Sequence, residues 1–157
     1  ALAVIDALEG FGCDPGRFIW IHAPYTAYTE PDGTDELLAA AAHGAYLSLD
    51  FIGSEFWAAW LDGTNPDARH IEWIQQIIDA GYEDQIIIGS DTGWFDPGHP
   101  EGFEIEQVDG VWTSVGSLAQ DYRSVPEEFV PAMREAGLSE ELIAKLMHGN
   151  PWNAFSR

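Results

Sequence analysis

Three short apolar runs, separated by segments with helical periodicity, constrain the fold of this chain more than any other feature of its sequence. The runs occupy residues 18–21, 45–49 and 85–90, and helices are predicted before them over residues 1–9, 35–43 and 67–80. Strands that alternate with helices of this length form βα units in a parallel sheet. Such strands are covered on both faces and are therefore apolar on both, as these runs nearly are. The pattern predicts an α/β fold with three parallel strands.

Each predicted strand ends in a polar residue, which is His22 after the first, Asp50 after the second and Asp91 after the third. In a TIM barrel, (β/α)8, the catalytic groups lie at the carboxyl ends of the strands, on one rim. An open doubly wound sheet would place them in the same way, so both architectures stay open at this point. No glycine-rich phosphate-binding motif follows any of the three runs, which weighs against nucleotide binding.

The formal net charge of −21 excludes several classes of partner. Such a surface repels nucleic acids and anionic membranes, and no apolar run reaches the roughly 18 residues that a membrane span needs. The acidic residues form either a solvated surface or a patch that attracts a cationic partner. Cys13 is the single cysteine, so neither an internal disulfide nor a cysteine-based zinc site is available.

His22 and Asp91 are the candidate metal ligands. Taken alone, His22 could be a hydrogen-bonded structural residue and Asp91 could cap the next turn. Together on one rim they bring neutral imidazole and carboxylate to the same place, which is the donor chemistry that a divalent metal ion requires. Asp50, the third rim residue, is either a substrate-binding group or a buried carboxylate that accepts hydrogen bonds from neighbouring N–H groups.

Four motifs give the chain a resemblance to a known family. They are residues 18–23 (Phe-Ile-Trp-Ile-His-Ala), 44–50 (Gly-Ala-Tyr-Leu-Ser-Leu-Asp), 81–91 (Gly-Tyr-Glu-Asp-Gln-Ile-Ile-Ile-Gly-Ser-Asp) and 129–137 with the later Asn150-Pro151. In this order they resemble the last three strands and closing helices of the phosphotriesterase-like family of the amidohydrolase superfamily. The resemblance implies that residues 1–157 are the C-terminal portion of a single TIM-barrel metal-dependent hydrolase domain, the C-terminal half of the barrel.

The resemblance also implies a chemistry. Members of the family hold two divalent metal ions, expected here to be zinc, which share a hydroxide and a carbamylated lysine. His22 falls on the sixth-strand metal ligand, and Asp91 falls on the eighth-strand aspartate that binds metal and acts as the catalytic proton acceptor. The implied reaction is hydrolysis of an ester, lactone or phosphotriester-type small-molecule substrate by metal-bound hydroxide. No nucleic-acid or membrane partner is expected, and a homodimer is left open.

Several family features are absent from this sequence. It contains no His-x-His pair, and its one lysine, Lys145, lies too close to the C-terminal end to bridge the metals. The other ligands are therefore expected upstream of Ala1, and the segment alone is expected to be inactive. No signal peptide is visible in this segment, which favours the cytoplasm without fixing the compartment.

Residues 92–122 are predicted to be a long functional loop, either a lid or a pocket wall. Within it, Trp94, Phe95 and His99 are candidate substrate-binding residues together with Asp50, although loop aromatics could equally pack on the barrel rim. Residues 51–54 (Phe-Ile-Gly-Ser) stand where paraoxon-hydrolysing members of the family carry histidines, which weighs against efficient organophosphate hydrolysis. Helices are predicted over residues 125–136 and 139–148, with Asn150-Pro151 ending the last one.

The remaining histidines are predicted to be structural, with His43 at a helix C-terminus and His70 and His148 within helices. Two hypotheses besides the hydrolase stay open. One is a half-barrel that acts as a non-catalytic interaction module, and the other is a different reaction of the amidohydrolase superfamily, because the rim His and Asp are shared among those reactions.

Overall fold

The structure is a computed structural model that describes residues 1–53, 66–91, 103–108, 111–116 and 123–156. Its centre is a three-stranded sheet of β1 (Ile19–Trp20), β2 (Tyr46–Leu49) and β3 (Ile86–Ile88). All pairing in this sheet is parallel, with Ile19 opposite Tyr46 and Leu47 opposite Ile86. The predicted α/β fold with three parallel strands is therefore confirmed, although each strand is shorter than its apolar run.

Helices precede the strands as the periodicity predicts. The helices of the βα units are α1 (Leu2–Gly10), α2 (Ala23–Thr29), α3 (Gly33–Ala42) and α4 (Pro66–Asp79). Short 3-10 turns at Pro15–Arg17 and Glu83–Gln85 lead into β1 and β3. Helix α2 was not predicted. It begins directly after His22 with Pro24 in its first turn, where the missing proline N–H has no intrahelical partner to lose.

The hydrophobic core lies between the parallel sheet and its helices. All four residues of β2 are buried, because this strand is paired on both edges and covered on both faces. Fully buried side chains come from α3, α4, the strands and the closing helices: Leu37, Leu47, Leu49, Trp73, Ile74, Ile86, Phe129 and Met133. Each contributes on the order of 1.5–3 kcal/mol by leaving water.

The closing helices differ from the prediction. A π turn at Ser124–Phe129 continues into α5 (Val130–Glu135), and α6 (Glu140–Ala144) continues through a second π turn, Lys145–Gly149, into α7 (Asn150–Phe155). The prediction that Asn150-Pro151 ends the last helix was wrong. Proline is accepted there because it lies in the first turn of α7, where its lack of an N–H breaks no helical hydrogen bond.

Asn150 is fully buried and ties α7 to the beginning of β3. Its Nδ2 donates to the carbonyl oxygens of Glu83 at 2.7 Å and of Ile86 at 2.8 Å. Nearby, Lys145 bonds to Glu83 and to Asp84 (2.7 Å), just before β3 starts. The one lysine thus lies at the amino end of the sheet, the end opposite to His22 and Asp91.

The region predicted as a long loop contains a second, two-stranded sheet. Strands β4 (Phe103–Val108) and β5 (Val111–Gly116) pair antiparallel, with Val108 opposite Val111. The prediction of an irregular segment over residues 92–122 was therefore wrong for these two stretches. Asp109-Gly110 between them is the two-residue sequence that favours a hairpin, and Phe103 to Val108 carries the alternation of a strand.

Among the residues that the structure describes, no helix is both long enough and apolar enough to span a membrane.

Candidate active site at the carboxyl end of the sheet

The three residues that follow the parallel strands come together at one end of the sheet. The backbone N–H of His22 donates to Oδ2 of Asp50 at 2.8 Å, and the Nδ1 atom of His22 lies 3.4 Å from the same oxygen. Asp91 is close enough to both residues for their charges to change its pKa. The structure thus brings His22, Asp50 and Asp91 to one rim, as the sequence predicts, because parallel strands all present their carboxyl ends on the same side.

The backbone at this rim is strained. Within the described part of the chain, the non-glycine residues with left-handed backbone are His22 (φ 57°), Phe51 (φ 73°) and Asp91 (φ 56°). Aspartate and histidine visit this region more readily than most residues, whereas a bulky phenylalanine there is a genuine outlier. Each such residue costs roughly 1–3 kcal/mol, and this kind of strain concentrates at functional sites. Here it falls on one residue after each of the three parallel strands.

Asp50 is a buried carboxylate whose two oxygens both accept hydrogen bonds from the protein. It is 7% exposed, and Oδ1 accepts from the Ser48 hydroxyl at 2.8 Å while Oδ2 accepts from His22 N–H. Gly89 leaves space for it, because a Cβ at position 89 would lie 2.6 Å from Asp50 Oδ1. These contacts fit the hypothesis of a buried, hydrogen-bonded carboxylate. Substrate contact by Asp50 stays a prediction.

The imidazole of His22 lies between Asp50 and Phe51. The His22 and Phe51 rings stack with centroids 4.9 Å apart and planes 13° from parallel, which restricts rotation of the imidazole. The His22 side chain nevertheless keeps 45% of its surface exposed. One ring nitrogen therefore faces the buried carboxylate, and a substantial part of the ring remains accessible to a ligand.

Asp91 has the electrostatics of a carboxylate that holds its proton more tightly than usual. Burial raises the pKa of Asp91, a positive charge on His22 opposes this shift, and the Asp50 carboxylate raises the pKa further. Desolvation and a like charge both disfavour the ionised form. A neighbouring cation would relieve both effects, since it would stabilise two carboxylates at one rim.

His70, on α4, contributes a contact that its predicted structural role did not specify. It is fully buried, with Nε2 2.6 Å from the backbone oxygen of Asp50 and Nδ1 3.5 Å from the Tyr28 hydroxyl. Burial strongly raises the pKa of Tyr28, and the negative charge of Asp67 raises it further. The positive charge of Arg69 lowers it to a smaller extent, so the hydroxyl stays protonated. The available sequence signal was the placement of His70 on the apolar face of α4, with Trp73, Ile74 and Ile77.

The other candidates have separate positions. Trp94, Phe95 and His99 lie outside the described residues, so their predicted roles in substrate binding stay predictions. His43 caps the C-terminus of α3, and its Nδ1 lies 2.8 Å from Oε1 of Glu9. His148 lies in the exposed turn before α7.

The donors at the rim fit a divalent metal ion in chemical type. One imidazole and one partly desolvated carboxylate are the groups that zinc binds. Over the residues that the structure describes, however, no group of three or more His, Cys, Asp or Glu side chains is arranged to hold an ion. His22 and Asp91 are two donors, fewer than the four ligands that a zinc ion takes in a complete site.

Parallel βα units with polar groups at the carboxyl ends of their strands occur both in (β/α)8 barrels and in open doubly wound sheets, and the family and fold similarities identify this chain as part of a barrel. The model of the phosphotriesterase family matches residues 3–155, and the chain belongs to this family.

Individual relatives agree with this assignment. The chain is 28% identical to the phosphotriesterase-related protein of Nematostella vectensis and 27% identical to the N-acetyltaurine hydrolase of Mus musculus. Each alignment covers 97% of this chain and 39% of the relative, so the chain spans about two fifths of their length. A resiniferatoxin-binding protein from Rhodobacter sphaeroides has the same fold, with a TM-score of 0.66 and 23% identity over 98% of this chain and 37% of its own.

Proposed function

We propose that this chain supplies the C-terminal part of the active site of a metal-dependent hydrolase that acts on small ester, lactone or phosphotriester-type substrates. The observation that carries the proposal is the meeting of His22 and Asp91, both in left-handed conformation, at one rim of a parallel sheet. Family membership supports it, because the curated relatives include proteins named as hydrolases. The described residues at this rim are too few to complete a coordination shell, so further ligands would be needed.

His22 is proposed as a metal ligand. Its Nδ1 faces the Asp50 carboxylate at 3.4 Å, which leaves Nε2 as the nitrogen for a metal ion. Divalent metal ions at this rim, with zinc the expected element, would lower the pKa of a bound water and polarise the bond to be cleaved. The ring stack with Phe51 would keep the imidazole in one orientation while ligands exchange.

Asp91 is proposed to bind metal and to take the proton from the attacking water. Its raised pKa in the metal-free protein supports the metal-binding part of this role, because an adjacent cation would stabilise the ionised carboxylate. Its place on the rim beside His22 puts the base next to the proposed ligand. Residues 51–54 follow Asp50 and contain none of the histidines that paraoxon-hydrolysing members of the family carry there, so esters and lactones are proposed ahead of organophosphates.

The test is Asp91→Asn in the full-length protein, measured by zinc content and steady-state kinetics together. The amide keeps the shape and one oxygen ligand but removes the base, so we expect zinc content to fall little and kcat to fall by roughly 10²-fold or more. Asp6→Asn, at an exposed position of α1, is the matched control and should change neither quantity. Near-normal turnover of Asp91→Asn with metal bound would refute the proton-acceptor role.

The relatives named N-acetyltaurine hydrolase favour a second candidate, hydrolysis of an N-acyl amide. A panel of esters, lactones, phosphotriesters and N-acetyltaurine, assayed with the zinc-loaded full-length protein, would separate the two. A protein that runs a different amidohydrolase-superfamily reaction would leave all four kinds of bond intact while still binding zinc. A non-catalytic half-barrel module would convert none of these substrates and bind no zinc.

A further inference from the structure

We propose that Asp50 and His70 are a pair of positioning residues that fix both the backbone and the ring tautomer of His22. The inference rests on the proposed function only in that His22 is taken to bind a metal ion. The positioning of His22 by these two residues is a property of the protein without metal. Neither residue is proposed to touch substrate.

The first contact is between Asp50 and His22. A single oxygen, Asp50 Oδ2, accepts the His22 backbone N–H at 2.8 Å and faces His22 Nδ1 at 3.4 Å. A carboxylate only accepts, so the neutral ring is favoured with its proton on Nδ1. The lone pair is then on Nε2, where a metal ligand needs it, and carboxylates commonly set metal-binding histidines in this way. The backbone contact holds His22 in its left-handed conformation.

The second step is what holds Asp50 itself. The Ser48 hydroxyl donates to Oδ1 at 2.8 Å, so the carboxylate has a fixed rotation. On the neighbouring strand end, Gly89 N–H donates to the Leu49 carbonyl at 3.2 Å, and the absent side chain of Gly89 makes room for Oδ1. Any side chain at position 89 would collide with Asp50, since a Cβ there would be 2.6 Å from Oδ1.

The third step is the contact from His70. The Asp50 carbonyl oxygen, 2.6 Å from His70 Nε2, can only accept, so Nε2 of His70 carries the proton. His70 Nδ1 is then the acceptor that faces the Tyr28 hydroxyl at 3.5 Å. The His70 ring is fixed by edge-on packing against Trp73 (5.4 Å, 69°) and Phe129 (6.5 Å, 87°). His70 thereby holds the peptide that joins Asp50 to the strained Phe51.

These contacts close a circuit. Tyr28 lies on α2, the helix that starts directly after His22, so the path runs from His22 through α2 and Tyr28 to His70, Asp50 and back to His22. Strained residues persist only where the surroundings determine their conformation from several sides. These contacts fix the conformation of His22 from three elements, β2, α2 and α4.

The experiment follows the His22 ring in the full-length, metal-free protein by ¹⁵N NMR and measures the zinc Kd and the kinetic constants of the same variants. Asp50→Ala should remove the preference for Nδ1–H on His22 and weaken zinc binding by roughly 10–100-fold, with KM unchanged. Asp50→Asn, which keeps an acceptor for the His22 N–H, should recover part of the affinity. His70→Gln should retain more affinity than His70→Leu, because glutamine can still donate to the Asp50 carbonyl.

Gly89→Ala provides an independent test if Asp50→Ala does not fold, because it displaces the Asp50 carboxylate and leaves the residue in place. We expect it to shift the His22 tautomer in the same direction. A raised KM in Asp50→Ala with unchanged zinc affinity and an unchanged ring tautomer would overturn the inference and make Asp50 a substrate contact. Inactivity of the parent protein on every substrate, with the NMR result as expected, would reject the proposed function and leave the positioning intact.

Discussion

Both ends of the parallel sheet contain residues with a left-handed backbone conformation, but the types of residue differ between the two ends. At the amino end, the left-handed positions before β2 and β3 are glycines, Gly44 (φ 86°) and Gly81 (φ 87°). At the carboxyl end, the left-handed positions after the three strands are His22, Phe51 and Asp91. Glycine adopts this conformation without a steric penalty, whereas the other residues are strained. The amino end is built for stability, and the carboxyl end keeps side chains at the expense of stability.

This division agrees with the contacts at each end. The amino end carries the Asn150 hydrogen bonds and the Lys145 ion pairs, which join the closing helices to the segment before β3. The carboxyl end carries the buried carboxylate of Asp50 beside the more exposed side chains of His22 and Asp91, close enough for their charges to interact. In barrels of this kind, polar residues at the carboxyl ends of strands serve catalysis and those at the opposite end serve stability. Substitutions at the two ends should therefore change different quantities.

The largest effect is expected at the carboxyl end, for His22→Ala. Loss of the proposed imidazole ligand should lower zinc occupancy and activity together, with activity down by roughly 10²-fold or more at stoichiometric zinc. Excess zinc should restore part of the activity, because the other ligands persist. His148→Ala, at an exposed position near the amino end, is the control and should leave zinc content unchanged. Full activity of His22→Ala without added zinc would contradict the claim that the carboxyl end of the sheet serves function through His22.

The next effect is expected at the amino end, for Asn150→Ala. Loss of two buried hydrogen bonds leaves the carbonyls of Glu83 and Ile86 without this donor, so the free energy of unfolding should fall by about 2 kcal/mol. Denaturant titration measures this quantity, and kcat of the folded protein should be unchanged. Asn153→Ala, in the same helix but exposed, should have little effect. A large change in kcat would mean that the two ends are coupled.

A smaller effect is expected for Gly81→Ala. Among the described residues, and apart from the two neighbours in the chain, no heavy atom lies within 4 Å of a Cβ built at this position, so the left-handed backbone is what opposes the substitution. Stability should fall by about 1 kcal/mol, from the range for left-handed non-glycine residues. Gly10→Ala is the matched control, because it also has open space around the Cβ but no positive φ, and it should be neutral or slightly stabilising. Equal effects of the two substitutions would contradict the backbone explanation.

The smallest effect is expected for Lys145→Met. Asp84 and Glu83 raise the pKa of Lys145 by hydrogen bonding to its ammonium group. A raised pKa in the folded state means that the contribution to stability is complete below the ordinary lysine pKa and is lost as the pH rises through the raised value. Partly exposed pairs of this kind contribute about 0–1 kcal/mol. Thermal unfolding at pH 8 and at pH 11 should show a difference between parent and variant that is larger at pH 8.

Much of the fold could be predicted because its strands are local features. The runs at residues 45–49 and 85–90 contain the buried β2 and the largely buried β3, whereas β1 is only half-buried. The helix stops before β2 and β3 are marked by Gly44 and Gly81. Helix α2 was missed because Pro24-Tyr25-Thr26 has no clear apolar period and its stability comes from packing against α3 and β2. The antiparallel pairing of β4 with β5 was missed, although Asp109-Gly110 is a sequence that favours a two-residue turn between strands.

The candidate site was predictable only in part. His22, Asp50 and Asp91 follow apolar runs directly, so their shared rim follows from parallel topology. The contact of His70 with the Asp50 carbonyl joins residues 20 apart on different elements, and no local pattern encodes it. The left-handed backbone of Phe51 was likewise invisible, because sequence preferences disfavour phenylalanine there and tertiary contacts override them.

The hydrogen bonds that Asn150 makes near the start of β3 affect the order in which parts of the molecule fold during synthesis. These hydrogen bonds, to Ile86 and Glu83, span 64 and 67 residues of sequence. Contacts of such separation form late, because the intervening chain must be ordered first. On a ribosome, which adds about 5–20 residues per second, β3 is made several seconds before Asn150 leaves the exit tunnel. Asp91, just beyond β3, should therefore reach its final position at the rim only after α7 has bound to the start of β3.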